Sequence, residues 1–157
     1  MCLGKHLISH EVIPVVGELS KPDTYHEVLD KVTYVIDNAL DFTSQDPFTS
    51  NKILVEATAK SATHQVAKTY IYTSGILVYT HSEDVRDENT SLHGDFPFFE
   101  GRIAFEQYVR CHTGVRGLVI RPGFVYGGSS GAGNLLTTFF ENGKKEKIVI
   151  NSKALIS

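Results

Sequence analysis

The chain predicts an α/β fold built on a parallel sheet. Runs rich in β-branched and aromatic residues alternate with helix-like runs, the pattern of repeated βαβ units. Two strand-like runs stop abruptly, one in Thr73-Ser74-Gly75 and one in Arg121-Pro122-Gly123. In an open parallel sheet the crevice beyond the carboxyl ends of the strands is where ligands sit. A third observation is the long stretch 81–96, rich in Asp, Glu, Asn and Gly and without periodicity. It reads as a surface loop of the kind that borders an active site.

In order along the chain, residues 12–16 (Val-Ile-Pro-Val-Val) read as a first strand. Ser20 is placed to cap a helix over residues 22–30, with Asp23 in the capping-box position and Pro22 early, where its missing N–H costs little. Residues 32–36 form a second strand leading into the polar end Asp37-Asn38-Ala39. A helix over 51–66 sets Ile53, Leu54, Ala57 and Val66 on one side. The run Thr69 to Thr73 makes the third strand. After the polar loop comes a helix over 98–111 and a fourth strand at 118–120. Residues 127–133 are a glycine-serine loop, Asn134 opens a last helix through Phe140, and Ile148-Val149-Ile150 suits a final strand.

Length suits one domain spanning residues 1–157, and 41% hydrophobic residues can fill a core. The net charge of −3, from 15 basic and 18 acidic side chains, gives no electrostatic case for nucleic acid or an anionic membrane. No segment approaches the ~20 apolar residues of a membrane span. The N-terminal residues lack the apolar run of a signal peptide. Cys2 and Cys111 form no disulfide framework and no metal spacing. A cytoplasmic protein with reduced thiols is expected, and the seven histidines show no metal-site pairing.

Four stretches carry a family resemblance: Val15-Val16-Gly17-Glu18-Leu19, then Tyr72-Thr73-Ser74-Gly75-Ile76-Leu77-Val78-Tyr79, then Arg102-Ile103-Ala104-Phe105-Glu106, and last Val119-Ile120-Arg121-Pro122-Gly123-Phe124-Val125-Tyr126-Gly127. In this order and spacing the chain resembles the short-chain dehydrogenase/reductase superfamily. The nearest likeness is to its extended and atypical members, the NAD-dependent epimerase/dehydratase-like proteins, over residues 10–143. The resemblance implies a Rossmann-like doubly wound sheet, a cofactor that is NAD or NADP, and hydride transfer on a sugar nucleotide or a small alcohol or ketone. A non-catalytic NAD(P)-sensing or interaction module on the same fold is the alternative.

Site residues follow residue by residue from that resemblance. Glu18 and Leu19 match a pair that contacts adenine, one accepting from the exocyclic amine and one covering the ring. Asn38 and Ala39 match strand-end residues that lie beside the cofactor. Thr73 and Ser74 offer hydroxyls to substrate or ribose, with Ser74 as a catalytic candidate. Pro122, Gly123 and Phe124 match a turn lining the nicotinamide side. Family members place a proton-donating tyrosine four residues before a lysine. Here Phe98 stands at the tyrosine position and Arg102 at the lysine position, so tyrosine-based proton transfer is not expected. Arg102 can still bind a ribose or phosphate, although it is no equivalent of lysine. Tyr79 offers a phenol from another direction, and Arg121 suits a structural ion pair as well as a ligand.

A competing motif, Gly127-Gly128-Ser129-Ser130-Gly131, fits the nucleophile elbow of α/β-hydrolases. That fold needs an acid and a histidine after the serine. Only Glu141 and Glu146 follow, with no histidine, so the triad cannot be completed.

The Gly-x-Gly-x-x-Gly loop that holds a dinucleotide pyrophosphate at a helix N-terminus occurs nowhere in the 157 residues. In the family's strand order the strands at 12–16 and 32–36 would face a gap two strands wide, beyond the 4.7–4.9 Å reach of a ladder. The expectation is a truncated form that binds NAD(P) weakly or not at all by itself and associates, as a homodimer, through exposed strand edges.

Overall fold

The computed structural model describes residues 12–41, 44–62, 67–123 and 125. It shows a mixed α/β fold whose sheet is open and all-parallel. Strands β1 (Tyr34–Asp37), β2 (Thr69–Thr73) and β3 (Arg116–Ile120) lie side by side in that order. Val35 faces Tyr70 and Asp37 faces Tyr72; Tyr70 in turn faces Gly117 and Tyr72 faces Val119. Among the described residues three α-helices accompany them: α1 (His26–Leu29), α2 (Thr49–Ser61) and α3 (Pro97–Cys111). Strands that run the same way need crossovers, and α2 and α3 supply them.

Among the described residues, elements pack on one face of the sheet and none covers the other. Tyr70 and Tyr72, on the covered face, are buried with Phe48, Leu54, Val55, Phe105 and Val109. Rings interlock there: Phe105 stacks on Phe48 at 5.6 Å and meets Tyr72 edge-on at 4.7 Å. On the opposite face Tyr34 and Ile36 are 66% and 63% exposed, and Leu118 and Ile120 are also exposed. Parallel sheets ordinarily bury both faces.

Gly117 sets how closely α3 sits on β3. A Cβ there would lie 2.0 Å from the Val109 carbonyl oxygen, so only glycine lets the helix backbone approach. Lys68 is buried just before β2, and its ammonium donates to the Leu29 carbonyl and, at 2.8 Å, to that of Val32. This ties the end of α1 and the segment just after it to the start of β2.

Several sequence expectations are corrected. Residues 12–16 form no strand: no described segment offers them a ladder, Pro14 has no N–H to give, and Val16 is 96% exposed. Ser20 caps no helix. Its hydroxyl donates to the Glu18 carboxylate at 2.6 Å, and the expected helix over 22–30 divides at Tyr25 into a 3₁₀ turn, Pro22–Thr24, and α1. The helix expected over 51–66 spans Thr49–Ser61 and turns Asn51, Leu54, Val55 and Thr58 inward, with Ile53 and Ala57 only half-buried. A short 3₁₀ turn, Ile76–Val78, follows β2 without a clear sequence signal. Val66, Phe124, the Gly127–Gly131 motif and the elements expected at 134–140 and 148–150 lie outside the described residues.

Candidate functional site

Because the strands are parallel and in register, their carboxyl ends fall on one edge of the sheet. Asp37, Asn38 and Ala39 end β1, Thr73 and Ser74 end β2, and Arg121, Pro122 and Gly123 follow β3. The ends of β2 and β3 are stitched together: the Ser74 amide donates to the Ile120 carbonyl at 2.8 Å and the Ile76 amide to that of Pro122 at 3.3 Å. Sequence-predicted site residues from three separate segments thus share one edge.

Beside β1 the turn Glu18–Lys21 folds against this edge. Glu18, Leu19 and Ser20 face Ala39, Leu40 and Asp41 across a cleft of about 440 Å³, with Ser50 of α2 at its wall. Glu18 is exposed, and its carboxylate accepts from Lys21 and from Ser20, each at 2.6 Å. Those hydrogen bonds, the one from Lys21 foremost, hold its pKa below the usual value. The turn itself is fixed by Thr24, which accepts from the Glu18 amide at 3.0 Å, and by the Tyr25 hydroxyl, which donates to the Leu19 carbonyl at 2.8 Å. Asn38 is exposed and does not line the cleft. The cleft offers an apolar wall, Leu19 and Leu40, and carboxylates that accept hydrogen bonds.

Under the cleft lies a polar cluster that the sequence did not single out. Asp37 is 2% exposed; its Oδ2 accepts from the Tyr70 hydroxyl at 2.6 Å and from the Asn51 amide at 2.8 Å, and its Oδ1 accepts from the Ala39 N–H at 3.1 Å. Asn51 also donates to the Ala39 carbonyl at 2.9 Å. Burial, with the Asp37 charge second, drives the Tyr70 pKa far above its usual value. The cluster holds the backbone of Ala39 from two sides and so fixes one wall of the cleft. The signal for it was alternation: Asp37 falls in phase with Val35 on the covered face.

At the other end of the edge, Ser74 is buried and Arg102 half-buried, while Thr73 and Pro122 are half-buried and Gly123 is exposed. The Arg102 guanidinium reaches the strand end, with Nη1 3.2 Å from where a Cβ on Gly75 would sit, and it stacks 5.0 Å from the Phe98 ring centroid. Phe98 packs on Phe48 at 5.8 Å, so the position expected for a proton donor contributes a ring to the core margin. The Tyr72 phenol beneath is pushed up to about 12 by burial, against the opposing pull of Arg102.

Arg121 makes the structural ion pair. Its Nη2 and Nε donate to Glu106 Oε2 at 2.6 and 3.0 Å, and Nη1 donates to the Tyr79 hydroxyl at 2.7 Å. Glu106 is 1% exposed, and its acceptance of these bonds raises the Arg121 pKa. Tyr79 donates onward to the Asp87 carbonyl at 2.9 Å, which pins the polar loop to the sheet and commits the phenol to structure.

No described helix is long and apolar enough to cross a membrane. Compared with models of protein families, with curated proteins and with solved structures, the chain matches none.

Proposed function

We propose that the chain is a Rossmann-like NAD(P)-binding module of oxidoreductase or epimerase type, acting on a sugar nucleotide or a small alcohol or ketone. The observation that carries this reading is the cleft at the carboxyl edge of the parallel sheet, where Glu18, Leu19 and Ala39 meet from distant segments. Its carboxylate and leucine suit the exocyclic amine and the face of an adenine. Ser74 and Arg102 at the end of β2 are the residues next to the reacting groups in this reading, with Thr73, Pro122 and Gly123 around the nicotinamide. The 157 residues carry no glycine-rich pyrophosphate loop, so affinity rests on the adenine end and is low.

A second reading, a non-catalytic NAD(P)-sensing or interaction module, is favoured by Phe98. Its ring sits between Phe48 and Arg102 and has no proton to give. A homodimer through the β1 edge fits either reading, since Tyr34 and Ile36 on that strand are exposed.

Calorimetric titration with NADH, NADPH and AMP tests the reading. Expected dissociation constants are on the order of 1 mM, about −4 kcal/mol, and Leu19→Asp abolishes binding. Absence of binding, or binding indifferent to Leu19→Asp, removes the nucleotide reading. Turnover is then followed by nicotinamide absorbance with candidate alcohols and ketones. Where it occurs, Ser74→Ala lowers kcat roughly ten- to a thousandfold, the scale of losing one well-placed donor. Binding without turnover of any candidate favours the second reading.

A further inference from the structure

Beside the carboxyl end of β2, two buried donors, one on Ser74 and one on Arg102 of α3, stand without acceptors among the described residues. Ser74 is 8% exposed, and its hydroxyl has no partner among the described residues. The Arg102 Nε–H is likewise buried and unpartnered. Arg102 forms no ion pair with any described residue; its guanidinium lies against the Phe98 ring. The nearby carboxylates are committed elsewhere, Glu106 to Arg121 and Glu100 to His93 and the Gly94 amide. Buried polar groups are almost always satisfied, so a paired exception asks for an explanation.

The donor set restricts the occupant. A guanidinium donates and never accepts, whereas a hydroxyl can do either. A group that satisfies both donors must therefore present acceptor oxygens, and beside an uncompensated cation those oxygens carry negative charge. Tyr72 registers the cation, because Arg102 pulls its pKa down against burial.

We propose that Ser74 and Arg102 form an oxyanion subsite at the carboxyl end of β2 that takes a phosphoryl or carboxylate group of a small ligand. It goes beyond the nucleotide reading and stands without it, since the unpaired donors alone carry it. Two sources share this chemistry, a phosphate of a nucleotide and an anionic group of a substrate.

The full chain is titrated with inorganic phosphate at constant ionic strength, with NADH titrated in parallel, and both are read by heteronuclear NMR and thermal melting. Phosphate is expected to saturate in the millimolar range and to raise the melting temperature. Arg102→Gln lowers phosphate affinity about tenfold or more, Arg102→Lys retains part of it, and Ser74→Ala weakens it a few-fold. Arg86→Gln, on the exposed loop, leaves it unchanged. Without phosphate, Ser74→Ala melts at or above the parent temperature, because a buried hydroxyl without a partner has been removed. NADH binding lost together with phosphate binding in Arg102→Gln assigns the anion to the nucleotide; intact NADH binding assigns it to a substrate. Phosphate binding without NADH binding keeps this site and removes the nucleotide reading. The proposal is overturned if Arg102→Gln binds phosphate as the parent does, if the parent binds none, or if Ser74→Ala loses stability without phosphate. Should Arg102→Gln fail to fold, Arg102→Lys and Ser74→Ala decide the matter by the same criteria.

Discussion

Glu106 shows how much one side chain can hold at the residue scale. Buried to 1% and pinned by three arginine hydrogen bonds, it leaves a cation unpaired when it is removed. Breaking one partner of a buried pair costs about 3–5 kcal/mol. Glu106→Ala is therefore expected to lower the urea-derived stability by that amount, and Glu106→Leu with Arg121→Met to recover most of it. Tyr72 gives the pH dependence. Its folded-state pKa of about 12 lies above the ordinary phenol value of about 10, so the folded chain holds that proton more tightly than the unfolded one. That contribution is complete below about pH 10 and is lost as pH rises through the window from about 10 to 12. Tyr70 is raised as well and acts in the same direction. Denaturation curves from about pH 8 to 11 should show falling stability, and Tyr72→Phe should flatten the alkaline part of the curve. A parent whose stability stays level across that window would show that the phenol is not held in its protonated form.

At the scale of elements, spacing between helix and strand matters more than the identity of the strand. Gly117 admits the α3 backbone, and Gly117→Ala is expected to cost about 3 kcal/mol by overpacking. A Cβ on Gly123 would meet nothing within 4 Å, so Gly123→Ala is expected to stay within about 0.5 kcal/mol. Equal midpoints for the two variants in urea would show that α3 does not rest on β3 as described. Strand and helix existence was legible here because β2 and α3 have strong local patterns. The strand expected at 69–73 is Thr69–Thr73, and the helix expected at 98–111 is Pro97–Cys111. The inward face of α2 was misread by about one position. Asn51 and Thr58 look like surface residues in sequence, and only their bonds, to Asp37 and Ala39 and to the Leu54 carbonyl, make them interior ones.

Among the described residues β1 pairs on one side only, and the sheet face beside it exposes Tyr34, Ile36, Leu118 and Ile120. Such surfaces recruit other chains. The chain is expected to self-associate in sedimentation velocity at tens of micromolar or more, and Ile36→Glu, which charges both edge and face, to shift it toward monomer. A parent that sediments as a monomer at every concentration would remove the edge-mediated dimer.

The sequence by itself determined the α/β class, the succession β1, α2, β2, α3, β3, and the gathering of polar residues at strand ends. These are local properties: side-chain branching, periodicity of two or 3.6 residues, and residues that stop a strand. Tertiary structure alone decided that residues 12–16 are no strand, that Arg121 serves Glu106 while Arg102 keeps an unpaired donor, and that Glu18 meets Ala39 across a cleft. Each of those outcomes depends on a partner distant in the chain. A hydrogen bond or a ladder is a property of two segments, and the pattern along one of them does not contain the other.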